Sequence, residues 1–258
     1  MRIVLKIGTS TLTYPSGRLN IRHVEALVKV ISDLKNAGHE VILVSSGAIA
    51  LGIGKLRLRE RPSDIPTKQA AAAIGQCELM YIYDRLFSQF DHSIAQILLT
   101  ADDVGHEERK TNFENTMERL LELGVIPVVN ENDTVATAEI RVGDNDTLGA
   151  ITACSVHADL LVLFSDIDGL FTDDPRRNPE AKQITEVREI TPEIEALGGG
   201  AGSKNGTGGM ITKLKAAKIV TENGCDMVIA NGNAPETLYD IVEGKPVGTR
   251  FVGKREKS

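Results

Sequence analysis

Tryptophan is absent from this 258-residue chain, and aromatic residues make up only 4% of it. Base stacking on aromatic platforms is therefore not expected of it. Excess positive charge is missing too. Lys and Arg number 29 against 36 Asp and Glu, a formal net charge of -7. That balance speaks against a nucleic-acid coat and for plain solubility. Any anion site must then be local, built from a few placed lysines and backbone groups. Cysteine is scarce: Cys77, Cys154 and Cys225 are odd in number, far apart and in no C-x-x-C pair. Neither a disulfide framework nor a cysteine zinc site is suggested. Each lies in or beside an apolar pattern, and buried thiols are expected. No apolar run approaches the length of a membrane span, and the chain opens on a strand-like run with no leader pattern. The expectation is a reduced, cytoplasmic protein with no nucleic-acid and no membrane partner.

What remains is ordinary globular composition, 41% hydrophobic and 25% charged, at a length that fits one large α/β domain. Short apolar runs at 3–7, 40–44, 94–99, 126–129, 160–164 and 227–230 read as strands, most of them continuous enough to be buried on both faces. Helical patterns lie between them. One starts near Asn20 as N-cap, carries Val24, Leu27, Val28, Ile31 and Leu34 on one stripe, and stops before Gly38. Others cover about 66–90 and 112–123, start near Asp144–Asp146 and run to His157, follow Gly209, and follow Pro235. Alternation of this kind predicts a mainly parallel sheet with helices on both faces, a three-layer αβα sandwich. Residues 137–142 alternate and predict a hairpin arm, and 247–252 predict a late edge strand.

In such sheets ligands gather beyond the carboxyl ends of the strands. Small, polar and glycine residues follow nearly every strand: Lys6-Ile7-Gly8-Thr9-Ser10, Ser45-Ser46-Gly47, Asn130-Glu131-Asn132-Asp133, Ser165-Asp166 and Asn231-Gly232-Asn233. The densest motif is Gly206-Thr207-Gly208-Gly209-Met210-Ile211-Thr212-Lys213, just ahead of a helical pattern. Glycines allow close backbone approach, the helix start offers free N–H groups, and the lysine adds a charge. Together they read as a phosphate cradle. It is not the P-loop motif, because Thr212 stands where that motif needs glycine, and the dinucleotide fingerprint fails at Ile211. A glycine-rich surface linker is the bland alternative. The five histidines, His23, His39, His92, His106 and His157, show no metal-ligand spacing and read as structural or surface residues.

The order of Lys6-Ile-Gly-Thr-Ser, Ser45-Ser-Gly-Ala, Asn130-Glu-Asn-Asp, Gly143-Asp-Asn-Asp and Gly206-Thr-Gly-Gly-Met-x-Thr-Lys213 resembles the amino acid kinase superfamily, and within it the glutamate 5-kinase family. The resemblance covers essentially the whole chain. It implies one kinase domain over 1–258, with a substrate lobe over about 1–157 and a nucleotide lobe over about 158–258. It implies transfer of the terminal phosphate of ATP to the γ-carboxylate of L-glutamate, the first step toward proline. Lys6, Lys213 and Asp146 would be the catalytic set, Asp146 orienting both lysines. Ser46, Gly47, Asn130, Asp133 and Asn145 would meet the amino acid, with Asp133 accepting from its α-ammonium. Lys6, Gly8, Ser165, Asp166, Thr207, Gly208, Gly209, Met210, Ile211, Thr212 and Lys213 would hold the nucleotide. Mg²⁺ would ride on the ATP phosphates, with no dedicated protein metal site. Serine at 165 departs mildly from the Thr-Asp of many relatives but keeps the hydroxyl. Many family members carry a further PUA domain; this chain resembles the short form without it. Proline as feedback inhibitor, handover to glutamate 5-semialdehyde dehydrogenase, and a homo-oligomer (dimer or tetramer) are also implied.

The chemistry suits these residues. A γ-carboxylate, with an ordinary pKa near ~4.3, is already ionised at neutral pH and needs no general base. The obstacle is joining two anions, so positioning and electrostatics carry the catalysis. A sister kinase acting on acetylglutamate, aspartate, carbamate or UMP, and a non-catalytic nucleotide sensor or storage protein, stay open.

Overall fold

Strand β1 (Arg2–Ile7) is wholly buried at Ile3, Val4, Leu5 and Ile7. Its continuous apolar run is explained by its place: β2 (Glu40–Val44) and β5 (Leu160–Ser165) pair with it in parallel on either side. The structure is a computed structural model that describes residues 1–14, 16–136, 145–199 and 209–255. Beyond β2 lie β4 (Ile126–Glu131) and the edge strand β3 (Ile94–Leu99), both parallel. Beyond β5 lies parallel β9 (Asp226–Asn231), then antiparallel β10 (Thr249–Phe251), then the short edge strand β8 (Glu186–Val187). The eight-stranded order is β3-β4-β2-β1-β5-β9-β10-β8. A separate two-stranded hairpin pairs β6 (Leu170–Phe171) with β7 (Gln183–Ile184).

Strand alternation builds the layers, since successive side chains point to opposite faces. Ile3, Leu5 and Ile7 join a core with α2 (Ile21–Asn36), α4 (Ile65–Phe87) and α10 (Thr237–Val242). Val4 joins the opposite core, with α6 (Glu107–Glu122), α7 (Asn145–Ser155) and α9 (Met210–Glu222). The expected three-layer sandwich is what forms. Short helices α1 (Thr9–Leu12), α3 (Ala48–Leu56), α5 (Ala101–Gly105) and α8 (Pro192–Leu197) complete the described set. Asn20 caps α2 by accepting from His23 N, and Asp64 caps α4 by accepting from Thr67 N at 2.8 Å.

The chain crosses from β1 to the β2 side first and returns to its other side at β5, which makes the carboxyl end of β1 the switch point of the sheet. Three expectations change. The segment near 247–252 is not an edge strand: β10 lies between β9 and β8, because the two-residue β8 caps the sheet. Helix α6 begins at Glu107 rather than 112, its polar first turn having hidden the start. Cys77 is exposed and Cys154 only partly buried, leaving Cys225 as the buried thiol. Cys77 falls on the outward stripe of α4 with Ala73 and Tyr81, four residues either way. The hairpin arm at 137–142 lies outside the described residues.

Candidate active site

Alternation along β1 decides where its lysine goes. Lys6 shares the parity of Val4, so its side chain leaves the sheet toward α7 and α9. There it meets Asp146, in the first turn of α7: Lys6 Nζ lies 2.6 Å from Oδ1. Lys213, in the first turn of α9, reaches the other oxygen: its Nζ donates to Asp146 Oδ2 at 3.0 Å. One carboxylate thus fixes two ammonium groups that arrive from different elements. Thr212 Oγ1 stands 2.9 Å from Oδ2 and 2.7 Å from the carbonyl of Gly209, so its proton serves one of these acceptors at a time.

All three charged groups are nearly out of solvent: Asp146 is 0% exposed, Lys213 3% and Lys6 8%. Taking ions out of water costs several kcal/mol each unless they are paired. Burial by itself would raise the Asp146 carboxyl. Lys6 and Lys213 outweigh that and hold it below the usual carboxylate range. Asp146 is therefore an anion at neutral pH and an organiser, not a base. The three side chains sum to one positive charge in a protein whose formal charge is -7. The chemistry that suits this corner is an anion whose charge shifts.

Glycines let backbone come close to this corner. A Cβ placed on Gly8 would lie 3.9 Å from Lys6 Nζ, the Phe164 carbonyl and Ser10 Oγ, at ordinary contact distance from all three. Gly209 is the N-cap of α9 and contributes no side chain there, which leaves first-turn N–H groups of a helix facing the same corner. Gly149 on α7 packs against the Lys6 stem, where an added Cβ would lie 3.4 Å from Lys6 Cβ.

A second group assembles on the other face. Asn130 in β4 has the parity of Val128 and faces α4; its Nδ2 donates to Gln76 Oε1 at 2.9 Å. Ser45, just past β2, lies 3.0 Å by its hydroxyl from Tyr83 OH, also on α4. Burial drives the Tyr83 phenol well above its ordinary range, with the Ser45 contact only a partial offset. Asn145, the first residue of α7, ties the group together. Its Nδ2 stands 2.6 Å from the Ser45 carbonyl, 2.8 Å from Ser46 Oγ and 3.1 Å from Asn130 Oδ1, and its two hydrogens serve two of these acceptors at a time. Asn145 and Asp146 are neighbours in sequence, so the neutral and charged groups share one helix start.

Two glycine requirements shape this side. Gly47 has φ +92°, a left-handed turn between β2 and α3 that favours glycine. Gly75 allows α4 to touch α3: a Cβ there would sit 1.6 Å from the Ala48 carbonyl. No side chain fits at that separation.

The sequence-derived residues thus fall into two joined groups. Lys6, Gly8, Asp146, Gly209, Thr212 and Lys213 form one, and Ser46, Gly47, Asn130 and Asn145 the other. Asp133 lies in the turn leaving β4, on the same rim. Ser165 ends β5 and Asp166 follows it, with Ser165 Oγ donating to Asp166 Oδ1 at 3.2 Å. Met210 packs against the apolar core of the α9 face, and the Ile211 side chain is 45% exposed; neither side chain belongs to the charged group. Thr207 and Gly208 lie outside the described residues, as do Gly206, Gly143 and Asp144. Gln76 and Tyr83 were not foreseen. The signal for Gln76 was present: it is the amide on a buried α4 stripe otherwise made of Ala72, Leu79 and Tyr83. Among the described residues no three His, Cys, Asp or Glu side chains gather as metal ligands, and no helix is long and apolar enough to cross a membrane.

Comparison with known proteins bears on the family and the fold. The model of the amino acid kinase family matches residues 1–231. A glutamate 5-kinase from Clostridium perfringens is 55% identical over 258 residues, covering 98% of this chain and 96% of its own. One from Listeria monocytogenes (strain EGD-e) is 50% identical over 260 residues, covering 99% and 94%. Among solved structures, an isopentenyl phosphate kinase from T. acidophilum superposes with TM-score 0.65 at 19% identity, over 97% of this chain and 100% of that one. A carbamate kinase from Giardia lamblia bound to AMP-PNP gives 0.67 at 15%, over 98% of each. At those identities the structures speak for the fold alone.

Proposed function

The chain belongs to the amino acid kinase family, and from that premise we propose that it phosphorylates the γ-carboxylate of L-glutamate with ATP, yielding L-glutamyl 5-phosphate and ADP, the first step of proline synthesis. The observation that carries the reading is Asp146 holding Lys6 by one oxygen and Lys213 by the other. The high identity to glutamate 5-kinases over nearly the whole chain supports the choice of acceptor.

In the reaction a γ-carboxylate oxygen forms a bond to the terminal phosphorus as the bond to the β-bridging oxygen breaks. The bonding pair leaves with ADP, and no proton changes place. The protein has two tasks: aligning the anions and stabilising the charge that spreads over the moving group. Lys6 and Lys213 do the second, on the acceptor and leaving sides. A preorganised donor of this kind contributes about 3–4 kcal/mol to the transition state. Asp146 keeps both ammonium groups aimed. Gly8, Gly209 and Thr212 sit where phosphate oxygens would meet backbone and hydroxyl donors, and Ser165 and Asp166 stand on the nucleotide side. Mg²⁺, carried on the phosphates, would neutralise part of their charge.

Ser46, Gly47, Asn130 and Asn145 meet the amino acid with neutral groups, and Asp133 accepts from its ammonium. The division into an amino-acid lobe (about 1–157) and a nucleotide lobe (about 158–258) follows the same line, with one sheet running through both. Competition by proline for the amino-acid side, a cytoplasmic location, a homo-oligomer, and passage of the labile product to glutamate 5-semialdehyde dehydrogenase belong to this reading.

Trapping with hydroxylamine tests it. ATP, Mg²⁺ and L-glutamate should yield γ-glutamyl hydroxamate, while aspartate and N-acetylglutamate should not. Hydroxamate from another carboxylate alone would move the activity to a sister kinase. None from any, in protein that still binds ATP, would remove the catalytic reading.

A further inference from the structure

Gln76 sits in the middle of α4, 7% exposed, and its amide ends inside the neutral group. Which way that amide points is settled by its neighbours. Asn130 Oδ1 accepts from the Glu131 backbone N–H at 2.9 Å, and Asn145 Nδ2 stands 3.1 Å from the same oxygen. A backbone N–H can only donate, so Asn130 must turn its oxygen that way and its Nδ2 toward α4. Gln76 must then present Oε1 to Asn130 and Nε2 on the other side. Among the described residues that buried Nε2 meets no acceptor. Buried amide donors are rarely left so, because the lost hydration is not recovered.

The position of the orphan matters. Gly75 brings this turn of α4 against the Ala48 carbonyl, at the first turn of α3. Gln76 therefore lies beside the Ser46-Gly47 turn, within the neutral group that Asn145 ties to the charged corner. An N–H₂ group wants an anionic or carbonyl oxygen. It cannot be satisfied by an ammonium. A zwitterionic amino acid offers both, so the two ends of the substrate must find different partners.

Resting on the reading of this site as an amino-acid site, we propose that Gln76 contacts the acceptor substrate, its Nε2 donating to a carboxylate oxygen of the amino acid while its Oε1 holds Asn130 in place. The side chain thereby reads the carboxylate end, as Asp133 reads the ammonium end. A neutral donor achieves this without placing another cation near Lys6, and a site built around a hydrogen bond discriminates strongly against ligands that cannot complete it.

Gln76→Glu is the discriminating variant. It keeps the shape and leaves an oxygen for Asn130 Nδ2, but turns the orphan donor into an acceptor. The hydroxamate assay is run on the parent and this variant with L-glutamate and ATP each varied. The expected result is a rise of about tenfold or more in KM for glutamate, with KM for ATP within about twofold of the parent. Gln76→Met, which fills the same space and donates nothing, should raise KM for glutamate less than Gln76→Glu and keeps the test alive should the latter not fold. Glutamate KM unchanged in both variants, as when water alone meets Nε2, overturns the proposal. So does an equal rise in the KM of ATP, which would mark a structural role. The parent reports separately on the functional reading. If it uses aspartate or N-acetylglutamate instead, that reading falls and the same comparison is made with the carboxylate it uses. If the parent neither uses nor is thermally stabilised by any of the three, both readings fall.

Discussion

On the face covered by α7 and α9, the rim of the sheet is charged: Lys6 and Lys213 each pair with Asp146, and all three are almost without solvent. On the face covered by α4, the same rim is neutral, an amide and hydroxyl network of Gln76, Asn130, Asn145, Ser45, Ser46 and Tyr83. The two differ because they serve different parts of one reaction. Charge that moves during phosphoryl transfer is best met by fixed charges. The carboxylate of a bound zwitterion, whose charge stays put, can be read by neutral groups, whose burial costs little once they are hydrogen-bonded. Asn145 and Asp146 hold the two chemistries one residue apart.

The comparison breaks most sharply at Lys6. Lys6→Met should lower kcat roughly 1,000-fold with little change in KM for glutamate, measured by hydroxamate formation at saturating ATP. A fall in kcat smaller than tenfold would take the reaction away from the charged corner.

Next in size is Asp146→Asn, which keeps the shape and leaves two buried ammonium groups without their anion. We expect kcat to fall roughly 100-fold and stability by about 3–5 kcal/mol, read by urea unfolding. The pH dependence has a definite sign. The Asp146 carboxyl is held below its ordinary range by the lysines, burial opposing them. Between the folded value and the unfolded value near ~3.9, the unfolded chain binds more protons, so stability rises with pH there. This contribution is complete above the unfolded value and is lost as pH falls through the folded one. Unfolding free energy against pH should therefore be flatter on the acid side in Asp146→Asn than in the parent; equal slopes would deny the pairing its electrostatic role.

The smallest expected effect sharpens the neutral side. Gly75→Ala forces α4 away from the Ala48 carbonyl, costing about 1–3 kcal/mol, and should raise KM for glutamate more than KM for ATP. If both rise together, the contact between α3 and α4 carries general packing and not the amino-acid site.

Much of this was legible in the chain. The bounds of β2 and β3 coincide with their apolar runs, and Asn20 and Gly38 bracket α2 as read. Helix α3 was not legible, because Ala48–Leu56 is short, carries two glycines and has Lys55 as its one charged residue. The place of β10 was hidden because a two-residue neighbour, β8, leaves no periodic trace. Glycine motifs pointed to Lys213 and Gly209, whereas Gln76 stood without a motif in the middle of a helix.

The sequence by itself determined the order of the long strands and helices, the helix caps that end in local hydrogen bonds, and the residue types available at each strand end, because hydrophobic period and turn chemistry act over a few neighbouring residues. Only the tertiary structure decided which of them meet. Lys213 and Asp146 are 67 residues apart, and Gln76 and Asn130 are 54. Whether such pairs touch depends on strand order and on which face each alternating side chain takes, and a shift of one residue along β1 or β4 would turn Lys6 or Asn130 to the other side of the sheet.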